Sequence, residues 1–397
     1  MSKVEIAKGV YWVGAVDWDI RHFHGYTYET RRGTTYNSYL IVDDKIALVD
    51  GVYGPFYQEW LDRIKEIVDP QKIDYMIVNH IETDHAGSVP IMMEINPQAK
   101  VICSGKAKEG LLRHWYKNWD FQVVKTNDTI KLGKKTLRFI EAPMIHWPDS
   151  MFSYIEEDAL LLPNDAFGQH LATSSRFDDE VDNHLIIEEA GKYFANILWP
   201  LSSVILKKIE EIMAMKIKIN MIAPSHGVIW RKNPERIIES YLKWTKGTTK
   251  DKVVIAYESM WGSTEKMARA ITQKIIDEGY EARIFSVPVT DRSDILAEML
   301  DAKAILIGSS THDNGILPNM AGFLDFLKGL KPKGRVAAAF GSYGWARGAV
   351  TSINEVLKEA GCEVFEPGLE VKYVPSEEDI KSCEKFALDI LNRIKGK

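Results

Sequence analysis

The sequence predicts an α/β protein in two parts, a sandwich of sheets with helices outside followed by a doubly wound parallel sheet. Three observations carry this prediction. Residues 1–248 mix strand-like and helical stretches without fixed alternation, and residues 249–397 alternate strand and helix regularly. Between the two patterns lies a short polar break, Thr245-Lys246-Gly247-Thr248-Thr249-Lys250-Asp251, placed where a domain boundary belongs.

The first part opens with three runs of strand formers, Val10 to Gly14, Tyr36 to Val42 and Lys45 to Asp50, and Asp43-Asp44 fits a hairpin turn between the last two. Phe56, Trp60, Leu61, Ile64 and Ile67 recur at helical spacing, so a helix is expected there. It leads into the apolar run Ile73-Asp74-Tyr75-Met76-Ile77-Val78, a buried strand, and Pro90 with Ile91-Met92-Met93 marks a helix beyond it. A strand at 100–103 precedes a helix around Leu111, Leu112 and Trp115, and four more strands are expected near 121–124, 137–140, 151–154 and 159–162. Helical patterns then occupy roughly 184–197 and 201–216, followed by a strand ending at His226 and a helix from Pro234 to Lys246. In the second part, strands are expected at 252–257, 281–286, 303–308, 335–341 and 363–371, with helices near 263–278, 291–300, 317–328, 346–360 and 376–394.

A chain of 397 residues, 45% hydrophobic and 27% charged, has room for two or three domains. Its net charge of −6, with no dense Lys/Arg cluster, argues against a nucleic-acid or anionic-membrane partner. No apolar run reaches membrane-spanning length, and the expectation is a cytoplasmic protein. Cys103, Cys362 and Cys383 are isolated, so they build neither a disulfide framework nor a thiolate metal site.

The densest chemistry is Asn79-His80-Ile81-Glu82-Thr83-Asp84-His85, four potential ligands in six positions on an expected strand-to-helix loop. Three further candidates each follow an apolar run: His146, Asp165 and His226. Any one alone reads as a satisfied core histidine or a turn aspartate. Seven imidazoles and carboxylates at matched strand ends read as a metal site.

In the second part, the first strand runs into Ser259-Met260-Trp261-Gly262-Ser263-Thr264 and then a helix, which offers hydroxyls and free backbone N–H groups to an anion. The spacing is neither a Walker loop nor G-x-G-x-x-G, so a monophosphate such as that of FMN fits better than a nucleoside triphosphate or a dinucleotide. The third strand ends in Ser310-Thr311-His312-Asp313-Asn314-Gly315 and the fourth in Ser342-Tyr343-Gly344-Trp345. In a flavodoxin-like order the carboxyl ends of the first, third and fourth strands lie together beside the topological switch point, and Trp261, Tyr343 and Trp345 are candidates to stack on a flavin ring or simply to pack.

The H-x-E-x-D-H motif with later His, Asp and His resembles the metallo-β-lactamase fold, whose usual motif has histidine where Glu82 stands. A carboxylate there makes the site harder and favours iron or manganese. A flavin domain on the same chain favours a redox-active metal, because zinc accepts no electrons. The whole chain therefore resembles the flavodiiron proteins, or A-type flavoproteins. The resemblance implies a metallo-β-lactamase-like αβ/βα sandwich over 1–248 and a flavodoxin-like FMN domain over 249–397. It implies that His80, Glu82 and His146 bind one iron, that Asp84 and His226 bind the other, and that Asp165 bridges, with His85 either a ligand or a neighbour of the second iron. It further implies reduction of dioxygen to water, of nitric oxide to nitrous oxide, or both, by a homodimer or a dimer of dimers. His24, Tyr26 and His170 are candidates to deliver protons or shape the pocket. The electron donor is expected to be external, rubredoxin first and a reduced deazaflavin coenzyme second. The competing reading is a zinc-dependent hydrolase with an accessory flavodoxin-like domain, and Glu82 counts against it.

Overall fold

The computed structural model describes residues 3–395. Their contacts divide into two compact units, the first comprising residues up to Phe23, Thr30–Tyr193 and Ser203–Leu242, and the second His24–Glu29, Phe194–Ser202 and the chain from Lys243 on. The sequence pattern places the division after 248 and shows neither of the two short excursions. Both excursions hydrogen-bond to one residue of the second unit: Glu29 N donates to Ser293 Oγ at 3.2 Å and Asn196 Nδ2 to Ser293 O at 3.0 Å. Nothing in the local sequence marks such a return.

In the first unit, a seven-stranded sheet runs in the order Val4–Ala7, Val10–Trp12, Tyr39–Val42, Ile46–Val49, Tyr75–Val78, Lys100–Cys103, Phe121–Val123. Pairing is antiparallel through the hairpin turn at Asp43-Asp44 and parallel from Ile46–Val49 onward. The five-stranded second sheet takes Thr129–Lys131, Thr136–Glu141, Met151–Ile155, Leu160–Leu162 and Met221–Ile222 in that order. Trp12, Tyr39, Val49 and Ile77 from one sheet and Phe139, Met151, Ile155 and Leu162 from the other share one buried cluster, which makes the unit a sandwich. Tyr36 to Val42, expected as one strand, divides into Thr34–Tyr36 and Tyr39–Val42. The side chain of the intervening Asn37 donates to Pro224 O and Gly227 O at 2.8 and 3.0 Å, so this break serves the loop that carries His226.

The second unit is a parallel sheet in the order Glu281–Ser286, Lys250–Glu258, Ala302–Ser309, Val336–Tyr343, Glu363–Val364, with Leu369–Lys372 also pairing beside Val336–Tyr343. This is the 2-1-3-4-5 order of a doubly wound flavodoxin-like sheet. From Val253 to Glu258 every residue of the first strand is buried, as helices on both faces require. The last strand, expected over 363–371, is interrupted around Glu366-Pro367-Gly368, because proline has no N–H to give to a ladder.

Candidate metal centre and flavin site

The strand Tyr75–Val78 lies within the parallel part of its sheet, between Ile46–Val49 and Lys100–Cys103, and the chain then turns through His80 and Glu82 into the short helix Thr83–Ala86. Asp84 and His85 are therefore helical and not on a loop as expected: the Glu82 carbonyl accepts from His85 N and Ala86 N at 3.0 and 2.9 Å. The helix is tied to the neighbouring strand by Gly51 N donating to His85 O at 2.7 Å. His146 follows the strand Thr136–Glu141, Asp165 follows Leu160–Leu162, and His226 follows Met221–Ile222.

These seven side chains gather into two groups, His80, Glu82, His146 and Asp165, and Asp84, His85 and His226, with the ligand atoms of each group within 4.8 Å of one another. In the first, Glu82 Oε2 lies 3.3 Å from His80 Nε2 and 3.2 Å from His146 Nε2. In the second, Asp84 Oδ2 lies 3.2 Å from His85 Nε2 and 3.1 Å from His226 Nε2. Asp165 faces both: Oδ1 is 2.9 Å from His85 Nε2 and 3.5 Å from His226 Nε2, and Oδ2 is 3.4 Å from His146 Nε2 and 3.6 Å from His80 Nε2.

None of the four carboxylate oxygens of Asp84 and Asp165 is in hydrogen-bonding geometry with a described residue, although all are buried. Buried carboxylates without donors are costly unless a cation takes their charge, and convergence on a common point suits a metal better than a hydrogen-bond network. The charges point the same way. Burial disfavours charged imidazoles, yet Asp165 and Asp84 hold His85 up at about 9, and Asp165 and Glu82 hold His146 up at about 8. Burial by itself would raise Asp165, but the imidazoles of His85, His146 and His80 keep it well below the usual carboxylate range. The donor set is nitrogen and oxygen only, as iron or manganese prefers.

Groups behind the ligands, which the sequence does not single out, fix their orientation. Asp149 Oδ2 accepts from His80 Nδ1 and Ile81 N, both at 2.9 Å. The carbonyl of Thr35 accepts from His226 Nδ1 at 2.7 Å. Asp50, just past the strand Ile46–Val49, accepts from Asn79 N at 2.7 Å and from Asn164 Nδ2 at 3.0 Å, and burial pushes its carboxyl up to about 6. Asn164 sits in the left-handed region at φ 54 and its carbonyl accepts from Ser225 N, so the Asp165 and His226 loops are held together. A single aspartate before Ser150, or a threonine carbonyl, carries no sequence signal that separates it from any turn.

Of the three candidates to deliver protons or shape the pocket, His170 is buried with its ring 4.8 Å from that of His226, and its Nδ1 lies 2.8 Å from Thr34 Oγ1. His24 and Tyr26 are exposed and belong to the second unit. Trp147 stands edge-on to His80 with ring centroids 5.1 Å apart and walls that side of the ligand.

In the second unit the three expected loops follow the carboxyl ends of Lys250–Glu258, Ala302–Ser309 and Val336–Tyr343. Thr264 binds them together: its buried hydroxyl lies 3.0 Å from Ser310 Oγ and 2.9 Å from Ser342 Oγ. Gly262 caps the helix Ser263–Asp277 at φ 84 and donates its N–H to Ser259 Oγ at 3.0 Å, a turn that leaves the helix N-terminus open to an anion. His312 and Gly315 bridge each other around the left-handed pair Asp313 and Asn314. Thr311 Oγ1 accepts from Ala349 N, and Tyr343 hydroxyl accepts from Arg347 Nη2. Trp261 and Trp345 are 89% and 92% exposed, two large aromatic faces on hydroxyl-rich loops, as a flavin ring with a monophosphate tail would use.

Two family models match, an ODP family beta lactamase over residues 34–227 and a flavodoxin over 255–386. A nitric oxide reductase of Moorella thermoacetica is 54% identical over 393 residues, 98% of each chain. Among solved structures, the rubredoxin oxygen:oxidoreductase of Desulfovibrio gigas superposes with a TM-score of 0.97 at 38% identity, covering 99% of both chains. A flavodiiron protein of Giardia intestinalis gives 0.96 at 35% identity, covering 100% of this chain and 97% of that one.

Proposed function

This chain belongs to the flavodiiron protein family, and from that premise we propose which residues hold its cofactors and what it acts on and with. It is an oxidoreductase with an FMN and a non-haem diiron centre, and it reduces dioxygen, nitric oxide or both with electrons that reach the irons from the flavin. The metallo-β-lactamase-like part is assigned to 1–248 and the flavodoxin-like part to 249–397.

His80, Glu82 and His146 hold one iron and Asp84 and His226 the other. Asp165 carries this reading, because its two oxygens address different groups at 2.9–3.6 Å. His85 Nε2 lies with the second group, which supports it as a ligand there. When bound, the metals supply redox change and a place for a diatomic gas, which zinc chemistry does not combine. The chain's own residues do the positioning. Thr35 O and Asp149 each accept a hydrogen bond from an Nδ1–H, so that His226 and His80 present Nε2. Phe23 and Tyr193 pack against His170, with ring centroids at 4.6 and 5.2 Å, and shield the back of His226 from water. The loops at 259–264, 310–315 and 342–345 hold FMN, the first at its phosphate and the others with Trp261 and Trp345 around its ring.

The donor is external, and rubredoxin is the first choice, supported by the name of the similar Desulfovibrio gigas enzyme; a reduced deazaflavin coenzyme is the second. The assembly is a homodimer or a dimer of dimers, and the location is cytoplasmic. No helix among the described residues is long and apolar enough to cross a membrane.

The test is metal and flavin content, followed by anaerobic turnover of the rubredoxin-reduced protein with each gas. About two irons and one FMN per chain with catalytic loss of dioxygen or nitric oxide is expected. Zinc without iron, in protein prepared with iron available, and no gas consumption would sink the reading in favour of a hydrolase.

A further inference from the structure

The two metal groups have matched donors, since each offers two imidazoles and one carboxylate of its own and shares Asp165. With the donors so alike, the groups behind the ligands are a source of inequality between the two positions. Behind His226 is a neutral carbonyl, Thr35 O at 2.7 Å. His85 Nδ1 has no hydrogen-bond partner among the described residues. Behind His80 is a carboxylate: Asp149, 2% exposed, accepts a hydrogen bond from His80 Nδ1 on Oδ2 at 2.9 Å.

Asp149 is itself rigidly held. The same Oδ2 accepts Ile81 N at 2.9 Å, and its backbone carbonyl accepts Ser104 Oγ at 2.7 Å. Ser104 in turn caps the helix Gly105–Trp115 by accepting from Ala107 N at 3.1 Å. The other oxygen, Oδ1, makes no hydrogen bond to a described residue, and Asp149 lines a groove of about 560 Å³ with Ile81, Leu112 and Trp147.

We propose that Asp149 is a positioning residue that makes the two iron positions electronically unequal, orienting His80 and strengthening it as a donor, so that the His80 iron is the harder of the two to reduce. An imidazole whose N–H faces a carboxylate is a stronger donor than one facing a carbonyl, and the added negative charge favours the more positive ferric state. This inference rests on His80 being an iron ligand. It concerns tuning, and the family reading stands whether or not it holds.

The test uses the full chain with FMN, loaded anaerobically with ferrous iron, as wild type, D149N and D149A. An asparagine Oδ1 can accept the same two N–H groups without the charge, and its amide takes the place of the unpartnered oxygen beside the groove. The D149N protein is expected to keep its iron while the reduction potential of one iron, followed by electron paramagnetic resonance of the mixed-valence state, moves upward. Removing the acceptor altogether in D149A is expected to weaken ferrous binding by roughly ten- to a hundredfold. A wild type that takes up no iron removes the underlying assignment of His80 as an iron ligand. An iron-loaded wild type whose D149N variant has an unshifted or lowered potential overturns this inference alone.

Discussion

Replacing Gly227 by alanine tests whether the His226 loop is built as tightly as the structure shows. Gly227 has φ +77, and a Cβ there would stand 1.7 Å from Gln169 Oε1 and 2.4 Å from the Gln169 backbone oxygen. The left-handed backbone costs an alanine roughly 1–2 kcal/mol. Gln169 cannot swing away freely: it is fully buried, its Oε1 accepts from Val228 N, its Nε2 donates to Val228 O, and its N donates to His226 O at 3.2 Å. Forcing it aside adds about 1–3 kcal/mol of overpacking. The sum is about 3 kcal/mol, which for a unit of this size lowers the thermal midpoint by roughly 6–12 °C. Calorimetry of the metal-loaded protein reads the midpoint, and iron analysis reads the site, where His226 is displaced and iron content falls. FMN content serves as the control for the second unit and is expected to stay at the wild-type level. A G227A protein with the wild-type midpoint and full iron would refute the reasoning, since neither the backbone nor the contact could then be as described.

Two further substitutions address the second unit. Thr264→Val keeps shape but removes the hydroxyl shared by Ser310 and Ser342, and should cost about 1–3 kcal/mol and weaken FMN binding, read by flavin fluorescence titration; unchanged FMN affinity would show that the loop tie is dispensable. Asp301 sits against Lys250 Nζ at 2.7 Å and against the buried Lys252. Burial alone would raise its carboxyl, and the two lysines outweigh this and lower it below 3.8. The folded state thus binds the proton less tightly than the unfolded one, so the stabilisation is present above the unfolded value and is lost as pH falls through the lower folded value. Asp301→Asn should therefore be destabilised by about 1–3 kcal/mol at neutral pH, with the gap from wild type closing in acid below about 3.8; urea melts across pH would contradict this if the gap were constant.

Much of the architecture follows from local pattern. The strands at Tyr75–Val78 and Lys100–Cys103 and the five helices from Ser263 to Ile394 are legible because apolar spacing reports which face is buried, whatever covers it. Element ends were less legible, as at Thr83–Ala86, where one helical turn is closed by Glu82 O and has no capping residue of its own. The strand Thr129–Lys131 is not legible in the sequence, because its alternation, exposed, buried, exposed, rests on one apolar residue, Ile130.

The sequence by itself determined the chemical identity of the centre: four nitrogen and oxygen groups in one motif, and three further groups at strand ends, chosen by residue type and by the strands before them. Only the tertiary structure decided how those groups are divided and aimed. Which oxygen of Asp165 faces His85 and which faces His146 depends on side-chain rotation at a buried point where three loops meet. The partner behind His80 is 69 residues away in the chain, and the one behind His226 is 191 residues away and is a backbone carbonyl. A carbonyl is the same in every residue, so no sequence pattern can mark it; it acquires its role when folding brings the loop of Thr35 against the loop of His226.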